Sequence, residues 1–342
     1  MPIRQPSVEN DRRRAQLVDW LSNIEIVAGI DPVVASADAS FRRYFRLQSA
    51  DNSFIAMDAP PTQEDSAPFL RVATYLESMQ LNAPRVIEAD LDLGFMLLTD
   101  LGDRPYLDVL NQTPSCANQL YGDAMATLAQ MQRRGTAYQA LLPPYDEKLL
   151  RFELSLFHDW LCEKHLGLRF SEQDETAWQV LCDELVANAL DQPQVFVHRD
   201  YHSRNLMQTG QDNPGILDFQ DAVEGPYTYD IASLLKDCYV RWPAGQVRNW
   251  ALDFYGQLQA AMQALPDVDT FLKHFELMGV QRHLKAAGIF SRLNHRDGKP
   301  GYMADIPRTL EYIVELAPRY EQLDFLVALI NERCLPELEV ET

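Results

Sequence analysis

Residues 195–218 constrain this chain more than any other part of its sequence. They read VFVHRDYHSRNLMQTGQDNPGILD, which is a short apolar strand, a polar loop and a second apolar strand that ends in an aspartate. Asn205 stands five residues after Asp200, and Asp218 closes the segment. Metal-dependent phosphoryl transfer needs an aspartate that accepts a hydroxyl proton, with an asparagine and a second aspartate that bind Mg²⁺. At ordinary residue usage the spacing H-x-D-x4-N should arise by chance only about 0.02 times in this chain, so the segment predicts a phosphoryl-transfer site.

Each polar residue of this segment has a predicted role. Asp200 is the predicted catalytic base because it follows a strand and lies on a loop held at both ends; a solvated loop carboxylate is the alternative. Asn205 and Asp218 are the predicted metal ligands because Mg²⁺ prefers hard oxygen donors, although Asp218 could instead cap its strand. His198 should pack inward and bond backbone carbonyls. Asp230 opens the next helix and can reach back to the loop.

Composition limits the class of protein and its partners. The chain has 342 residues, of which 46% are hydrophobic, so it can bury a substantial core, divided between two lobes. Thirty Lys and Arg against fifty Asp and Glu give a net charge of −20, which disfavours nucleic acid and anionic membranes as partners. The five cysteines include no C-x-x-C pair, which indicates reduced thiols. The sequence shows no apolar leader and no apolar run long enough to span a membrane. We therefore expect a cytoplasmic enzyme, and we expect no obligate protein partner.

The periodicity of the chain predicts an α+β fold with two lobes. Residues 33–57 alternate as a meander of three strands, and a helix with Phe69, Val72 and Leu76 on one face follows them. Two further strands are predicted at residues 85–89 and 95–99, and helices dominate the remainder. We therefore expect an N-terminal lobe at residues 1–100, which has a leading helix, a small five-stranded antiparallel sheet and one main helix. A large, mostly helical lobe at residues 101–342 would carry the catalytic loop and the substrate site.

Three motifs carry a resemblance to a known family. HRDYHSRN, ILDFQDA and GPYTYDIASLL resemble the aminoglycoside phosphotransferase and choline kinase-like branch of the protein-kinase fold. Together with ASFRRYFRL, IAMDAPP and MLLTDLGD, the chain resembles bacterial anomeric sugar kinases, which phosphorylate the C1 hydroxyl of N-acetylmuramate and N-acetylglucosamine in peptidoglycan recycling. This resemblance implies that the N-terminal lobe, residues 1–100, is the nucleotide-binding lobe. It also implies ATP and Mg²⁺ as cofactors, bound between the lobes, and Asp200 as the base. It also implies a hinge whose backbone meets adenine, at Thr99, Asp100 and Leu101.

The chain departs from the kinase pattern at the phosphate-binding positions. Kinases have a Lys at the end of the third strand, where this chain has the sequence IAMD at residues 55–58. The turn that should cover the phosphates also lacks glycines. We hypothesise that Arg43, or Arg42 or Arg46, supplies the missing positive charge and that Ser40 adds a hydroxyl donor. The alternative is that these arginines form a solvated strand face.

The missing Lys also leaves open a second class of protein. A nucleotide-binding adaptor without catalytic activity, a pseudokinase, would not need it. The presence of Asp200, Asn205 and Asp218 argues against this interpretation.

The predicted substrate residues are basic or polar. N-acetylmuramate carries a lactyl carboxylate, so its pocket in an acidic protein should contain local cations. The candidates are His202, Arg282, Lys285, Asn294 and His295, the last two within a stretch at residues 291–302 that we expect to be a loop. His202 could instead be polar filler. An aminoglycoside or choline-type kinase is the alternative enzyme: the net charge of −20 slightly favours a cationic substrate, whereas these basic residues count against it.

One further cluster suggests a metal site. His158, Cys162 and His165 fall at helical spacing, which would place three soft ligands on one face. A fourth zinc ligand is not nearby in sequence, so we favour an ordinary packed helix.

Overall fold

The computed structural model describes residues 8–37, 41–49, 52–261 and 265–340. Its internal contacts divide the chain into two compact units, residues 1–103 and 104–342. The boundary that we expected from the sequence lies after residue 100.

The first unit contains an antiparallel sheet and two described helices. The elements are α1 (Val8–Ser22), β1 (Val33–Ala37), β2 (Arg43–Gln48), β3 (Ser53–Asp58), α2 (Ala67–Ser78), β4 (Val86–Asp90) and β5 (Phe95–Thr99). The five strands lie in the order β1-β2-β3-β5-β4, and each neighbouring pair is antiparallel. Strand β5 is inserted between β3 and β4, and its residues from Phe95 to Leu98 are buried.

The core of the first unit follows from the alternation of its strands. Phe45 and Leu47 of β2 point to one face of the sheet, where Leu17 and Leu21 of α1 pack against them. Burial of such side chains stabilises the unit by about 1.5–3 kcal/mol each. The leading helix is therefore an integral part of this sheet lobe.

The second unit is mainly helical. Its elements are α3 (Tyr106–Gln112), α4 (Ala117–Gly135), α5 (Glu147–Leu156), a π-helix (Phe157–His165), α6 (Glu172–Leu190), β6 (Gln194–Val197), β7 (Leu206–Met207), β8 (Gly215–Ile216), β9 (Val223–Pro226), α7 (Tyr229–Leu235), α8 (Ala244–Ala261), α9 (Val268–Asp297), α10 (Ile306–Val314), α11 (Asp324–Leu329) and α12 (Leu335–Val340). Strand β6 pairs with β9 and β7 pairs with β8, both antiparallel. The predicted α+β architecture, with a five-stranded sheet and a large helical part, is confirmed.

Helix α9 corrects one prediction. We expected a loop at residues 291–302, but the helix continues to Asp297 and ends at Gly298, which adopts a left-handed conformation with φ of 63°. The Gly and Pro of this stretch mark only the end of the helix. At its start, Asp267 accepts hydrogen bonds from the backbone N–H groups of Asp269 and Thr270 at 3.0 and 2.9 Å.

Helix α9 approaches the neighbouring backbone very closely at Gly288. A Cβ atom added there would lie 2.3 Å from the carbonyl carbon of Leu156, at the junction of α5 and the π-helix. Only glycine permits this approach without movement of the backbone. The close contact fixes α9 against α5, and both helices contribute to the site described below.

The π-helix separates the three soft ligands predicted at residues 158–165. Its i→i+5 hydrogen bonds change the alignment of residues four apart. His158 contacts Asp159 and Glu175, whereas Cys162 is fully buried and His165 contacts His295. Within the part of the chain that the structure describes, these three residues do not converge on one point, so the packed-helix interpretation is favoured.

Among the described helices, none is both long enough and apolar enough to cross a membrane.

Candidate active site

Asp230 fixes the backbone of the loop that follows β6. Its carboxylate accepts hydrogen bonds from the backbone N–H groups of His198 and Arg199 at 2.7 and 2.9 Å. Because β9 pairs with β6 and leads into α7, the start of α7 lies beside this loop. Arg199 has φ of 75°, a left-handed conformation that costs free energy for a non-glycine residue, and the two hydrogen bonds offset that cost. The predicted reach of Asp230 to the loop is confirmed.

His198 is a structural residue, as predicted. The ring is fully buried, with Nε2 lying 3.0 Å from the carbonyl oxygen of Leu217 and Nδ1 accepting from the backbone N–H of Asp200 at 3.2 Å. Burial lowers the pKa of His198 to about 4. A neutral imidazole therefore joins the loop at Asp200 to the strand that precedes Asp218.

Asp200, Asn205 and Asp218 are brought together by a short hairpin. Strands β7 and β8 pair directly between Asn205 and Asp218, and the backbone N–H of Leu217 donates to the carbonyl oxygen of Asn205 at 2.9 Å. The side-chain nitrogen of Asn205 lies 3.0 Å from the carbonyl oxygen of Asp200 and 3.3 Å from Asp218 Oδ2. Gln220 donates to the other carboxylate oxygen of Asp218 at 2.8 Å. One amide thus links the predicted base to the predicted metal ligand.

The donor set at this point fits a divalent cation. The nitrogen of Asn205 makes the contacts with Asp200 and Asp218, so its amide oxygen is used in neither contact and can serve as a neutral ligand. Asp218 supplies a charged oxygen, and its φ of 62° places it in a conformation that is uncommon outside glycine. Carboxylate and amide oxygens suit Mg²⁺, which takes water and phosphate oxygens at its other positions.

The electrostatic environment keeps Asp200 ionised. Burial by itself raises the pKa of this carboxyl, but Lys285, His202, Arg199 and Arg282 outweigh burial and lower it to about 2. A carboxylate with so low a pKa is a weak base. Asp200 is thus suited to orient an acceptor hydroxyl and to take its proton late in the reaction.

A buried ionic cluster lies behind the loop. Glu153 of α5 forms a short ion pair with Arg199 and lies 3.3 Å from Lys285 Nζ of α9. Its carboxylate also accepts from Gln281 at 3.1 Å and from the hydroxyl of Tyr145. Burial raises the pKa of Glu153, but the charges of Lys285 and Arg199 outweigh burial and hold it below its ordinary value. The cluster therefore carries two cations against one anion next to Asp200.

We expect Glu153→Gln to destabilise the protein by about 3 kcal/mol, because it leaves the buried charges of Arg199 and Lys285 without their shared counter-charge. Urea unfolding followed by circular dichroism measures this loss. The matched control is Glu147→Gln, which breaks an exposed pair with Arg151 one helical turn away and should cost at most about 0.5 kcal/mol. Equal losses in the two variants would contradict the role that we assign to Glu153.

Asp237 holds the second half of the loop and was missed in the sequence. Its Oδ2 accepts from the backbone N–H and the hydroxyl of Ser203 at 2.9 and 2.5 Å, and its Oδ1 accepts from the N–H of Tyr239 at 2.9 Å. The available signal was its position just after a helix whose first turn carries Asp230. Two aspartates at the two ends of α7 thus hold the two halves of the loop.

The predicted substrate residues fall into two groups. His202, Arg282 and Lys285 are buried and lie close enough to Asp200 to lower its pKa. Asn294 and His295 lie in the last turn of α9, and none of the contacts among described residues links them to Asp200. His295 is exposed, with Nε2 lying 3.1 Å from Nδ1 of His165.

The predicted phosphate-binding arginines of the first unit all contact acidic residues. Ser40 lies outside the described residues. Arg43 donates from Nε to Asp58 Oδ2 at 3.0 Å, and Arg13 of α1 donates from Nε to the other oxygen at 2.8 Å. Asp58 is fully buried, and the two arginines share its carboxylate. Arg42 forms a pair with Glu64 at 3.2 Å.

The predicted hinge is held by polar contacts inside the first unit. Asp100 lies 2.6 Å from Nε of Arg46 and 2.5 Å from the hydroxyl of Ser53, and it accepts from the N–H of Gly102 at 2.9 Å. Burial raises the pKa of Asp100, but these partners outweigh burial and lower it. The hydroxyl of Thr99 accepts from the N–H of Arg85 at 2.9 Å. Leu101 is half-buried.

Comparison with known proteins identifies the family. The family model described as "Phosphotransferase enzyme family" matches residues 33–267, which is more than half of the chain. The chain therefore belongs to the phosphotransferase enzyme family. It is an enzyme that transfers a phosphoryl group to an alcohol acceptor, and the predicted relationship to the aminoglycoside phosphotransferase and choline kinase-like branch is confirmed.

Two relatives and one solved structure add detail. The chain is 46% identical over 336 residues to the N-acetylmuramate/N-acetylglucosamine kinase of Pseudomonas putida, covering 95% of this chain and 97% of that protein. The enzyme of the same name from Pseudomonas aeruginosa is 47% identical over 335 residues, with 94% and 97% covered. Choline kinase LicA from Streptococcus pneumoniae superposes with a TM-score of 0.60 at 10% identity, covering 90% of this chain and 99% of that one. This last likeness shows the fold alone.

Proposed function

We propose that this protein is an ATP-dependent sugar kinase that phosphorylates the anomeric C1 hydroxyl of N-acetylmuramate and N-acetylglucosamine. The observation that carries the proposal is the contact of the Asn205 amide with both Asp200 and Asp218. It supports a site in which the base and the metal ligands act on one substrate. The sugar substrates are supported by the names of relatives that are 46% and 47% identical over nearly the whole chain.

The residues of the loop would divide the work of phosphoryl transfer. Asp200 would accept a hydrogen bond from the C1 hydroxyl, aim its oxygen at the γ-phosphorus of ATP and take the proton as the new O–P bond forms. ADP leaves with the electron pair of the broken bond. Asn205 and Asp218 would hold Mg²⁺, which neutralises negative charge on the phosphates when it is bound. Arg43 or a neighbouring arginine of the first unit would add positive charge in place of the missing strand Lys.

The cations near Asp200 support an acidic sugar rather than a cationic substrate. Arg282 is buried within electrostatic range of Asp200, and Lys285 lies in the ionic cluster behind it. The alternative, an aminoglycoside or choline-type kinase, is favoured only by the net charge of −20, which is spread over the whole chain. Since the reaction consumes ATP and would act on recycled wall sugars, we propose that it takes place in the cytoplasm.

A substrate panel tests the proposal. The protein is incubated with Mg-ATP and N-acetylmuramate, N-acetylglucosamine, choline or kanamycin, and ADP release is measured. We expect turnover only with the two sugars, and ³¹P NMR should show a phosphate coupled to the anomeric proton. Turnover with only the cationic compounds would refute the sugar assignment, and phosphate on another hydroxyl would refute the C1 assignment.

A further inference from the structure

Arg204 is the exposed cation of the catalytic loop. It stands between Asp200 and Asn205 in the chain, inside a turn closed by the hydrogen bond from the N–H of Asn205 to the carbonyl oxygen of His202 at 2.9 Å. Four residues span at most about 14 Å even when extended, which limits how far position 204 can lie from the predicted base. Arg282, by contrast, is only 5% exposed.

Aromatic rings hold the Arg204 guanidinium in place. Its central carbon lies 4.6 Å from the ring centroid of Tyr239 and 5.3 Å from that of Tyr302. Tyr302 stacks on Phe290 of α9 with centroids 5.5 Å apart, and Phe290 also packs near Tyr239 at 6.1 Å. The guanidinium is thus positioned by faces of rings, a contact that leaves its in-plane N–H donors available.

The charge of Arg204 has no direct counter-ion in the described part of the chain. Asp305, an acidic group whose charge acts on Arg204, is bound by Arg308 at 3.0 Å. Other arginines that contact aromatic rings form ion pairs. Arg199 lies over the ring of Tyr145 and pairs with Glu153. Arg241 lies over the ring of Tyr312 and pairs with Glu311. The guanidinium has five N–H donors, so Arg204 can form a bidentate contact even when one N–H points toward the hydroxyl of Tyr239.

His202 gives a second indication of a ligand beside Arg204. The ring is 8% exposed and packs edge-on against Tyr239 with centroids 5.4 Å apart. Its Nδ1 atom is buried and makes no hydrogen bond to any described residue. A buried polar atom without a partner is costly unless a ligand or water satisfies it. His202 and Arg204 therefore mark a polar subsite next to the base.

We propose that Arg204 binds the lactyl carboxylate of N-acetylmuramate and thereby sets the preference of the enzyme for this sugar over N-acetylglucosamine. This inference rests on the proposed function. The two sugars differ only in the lactyl ether on C3, which is two ring carbons from C1. With the C1 hydroxyl at Asp200, a carboxylate attached at C3 would meet a cation a short distance along the same loop, and Arg204 has the planar fork that matches it.

The test compares Arg204→Gln with the wild-type enzyme on both sugars. We expect KM for N-acetylmuramate to rise about 10- to 100-fold, the range for loss of charge-assisted hydrogen bonds, while kcat and the parameters for N-acetylglucosamine change less than about 2-fold. Arg204→Lys should recover part of the loss, because it keeps the charge without the fork. The matched control is Arg241→Gln, which also removes an arginine from the face of a tyrosine and should leave the ratio of the two sugars unchanged.

A neutral analogue separates binding of the carboxylate from a structural role. With the carboxamide of N-acetylmuramate as substrate, the KM of the wild-type enzyme should rise by the same factor as the KM of Arg204→Gln rises with the acid. The KM of Arg204→Gln should not rise further with the carboxamide. If KM rises equally for both sugars, so that the ratio of the two KM values is unchanged, the role of Arg204 is overturned and the proposed function stays intact. If the wild-type enzyme phosphorylates neither sugar, the proposed function fails, and this inference fails with it.

Discussion

Replacing Asp200 with Asn should lower kcat by about 10²- to 10⁴-fold, the range for loss of a positioned general base. The variant keeps the shape of the side chain but can no longer accept the proton of the sugar hydroxyl. Because Asp200 contributes no metal ligand in our assignment, the dissociation constant for Mg-ATP should change by less than about 3-fold. Steady-state kinetics with N-acetylglucosamine and a separate nucleotide titration measure the two effects.

The control for this experiment is Asp253→Asn, which removes an exposed carboxylate from α8 of the same unit. Its kcat should equal that of the wild-type enzyme. If Asp200→Asn retains more than about a tenth of wild-type kcat with unchanged circular dichroism, Asp200 is not the base.

Replacing Asp218 with Asn should lower kcat by roughly 10³-fold, because the charged oxygen that would hold the metal is worth several kcal/mol in the transition state. Asn is the suitable substitution, since Asp218 has φ of 62° and Asn tolerates that conformation better than Ala. We also expect weaker nucleotide binding when Mg²⁺ is present, and unchanged binding when EDTA removes it. Calorimetric titrations with and without the metal measure this difference.

Asp212→Asn provides the matched control. Asp212 lies between β7 and β8, in the same hairpin, and has φ of 50°, but it is exposed. This variant should keep wild-type activity and metal dependence. A loss of nucleotide affinity in Asp218→Asn that is equally large in EDTA would show that the residue acts on the fold rather than on the metal.

Those parts of the site that depend on neighbours in sequence could be predicted. The hairpin that joins Asn205 to Asp218 is encoded by two apolar runs separated by turn residues, and the inward position of His198 follows from its place at the end of a buried strand. Asp230 was recognisable for the same reason, because a helix that begins after a paired strand must start close to that strand.

Contacts over long separations in sequence could not be predicted in this way. Glu153 lies 46 residues before Arg199, and nothing in the periodicity of α5 distinguishes it from a solvated glutamate. Arg13 lies 45 residues before Asp58, so the pairing of two arginines with a carboxylate at the end of β3 was equally hidden. The sequence suggested the arginines of the first unit as phosphate ligands, but it did not show that these arginines form ion pairs with carboxylates.

The position of Arg204 shows a second limit. The basic residues that we predicted to bind substrate include Arg282 and Lys285 on helix α9. Arg204, which lies inside the loop motif itself, was not predicted. Its significance depends on Tyr239, Phe290 and Tyr302, which come from three separate segments of the chain. Only the fold shows that aromatic rings from these segments pack around an exposed arginine.

The contacts of Asn205 also explain why this position requires a carboxamide. In the proposed site the side chain would donate from its nitrogen to two oxygen acceptors and offer its oxygen to a cation, a bifunctional task that neither an aspartate nor a lysine can perform. An aspartate here would set a third negative charge against Asp218 and repel the backbone oxygen of Asp200. Before the ion arrives, the amide therefore joins the Asp200 backbone to the Asp218 carboxylate without adding a charge to the site.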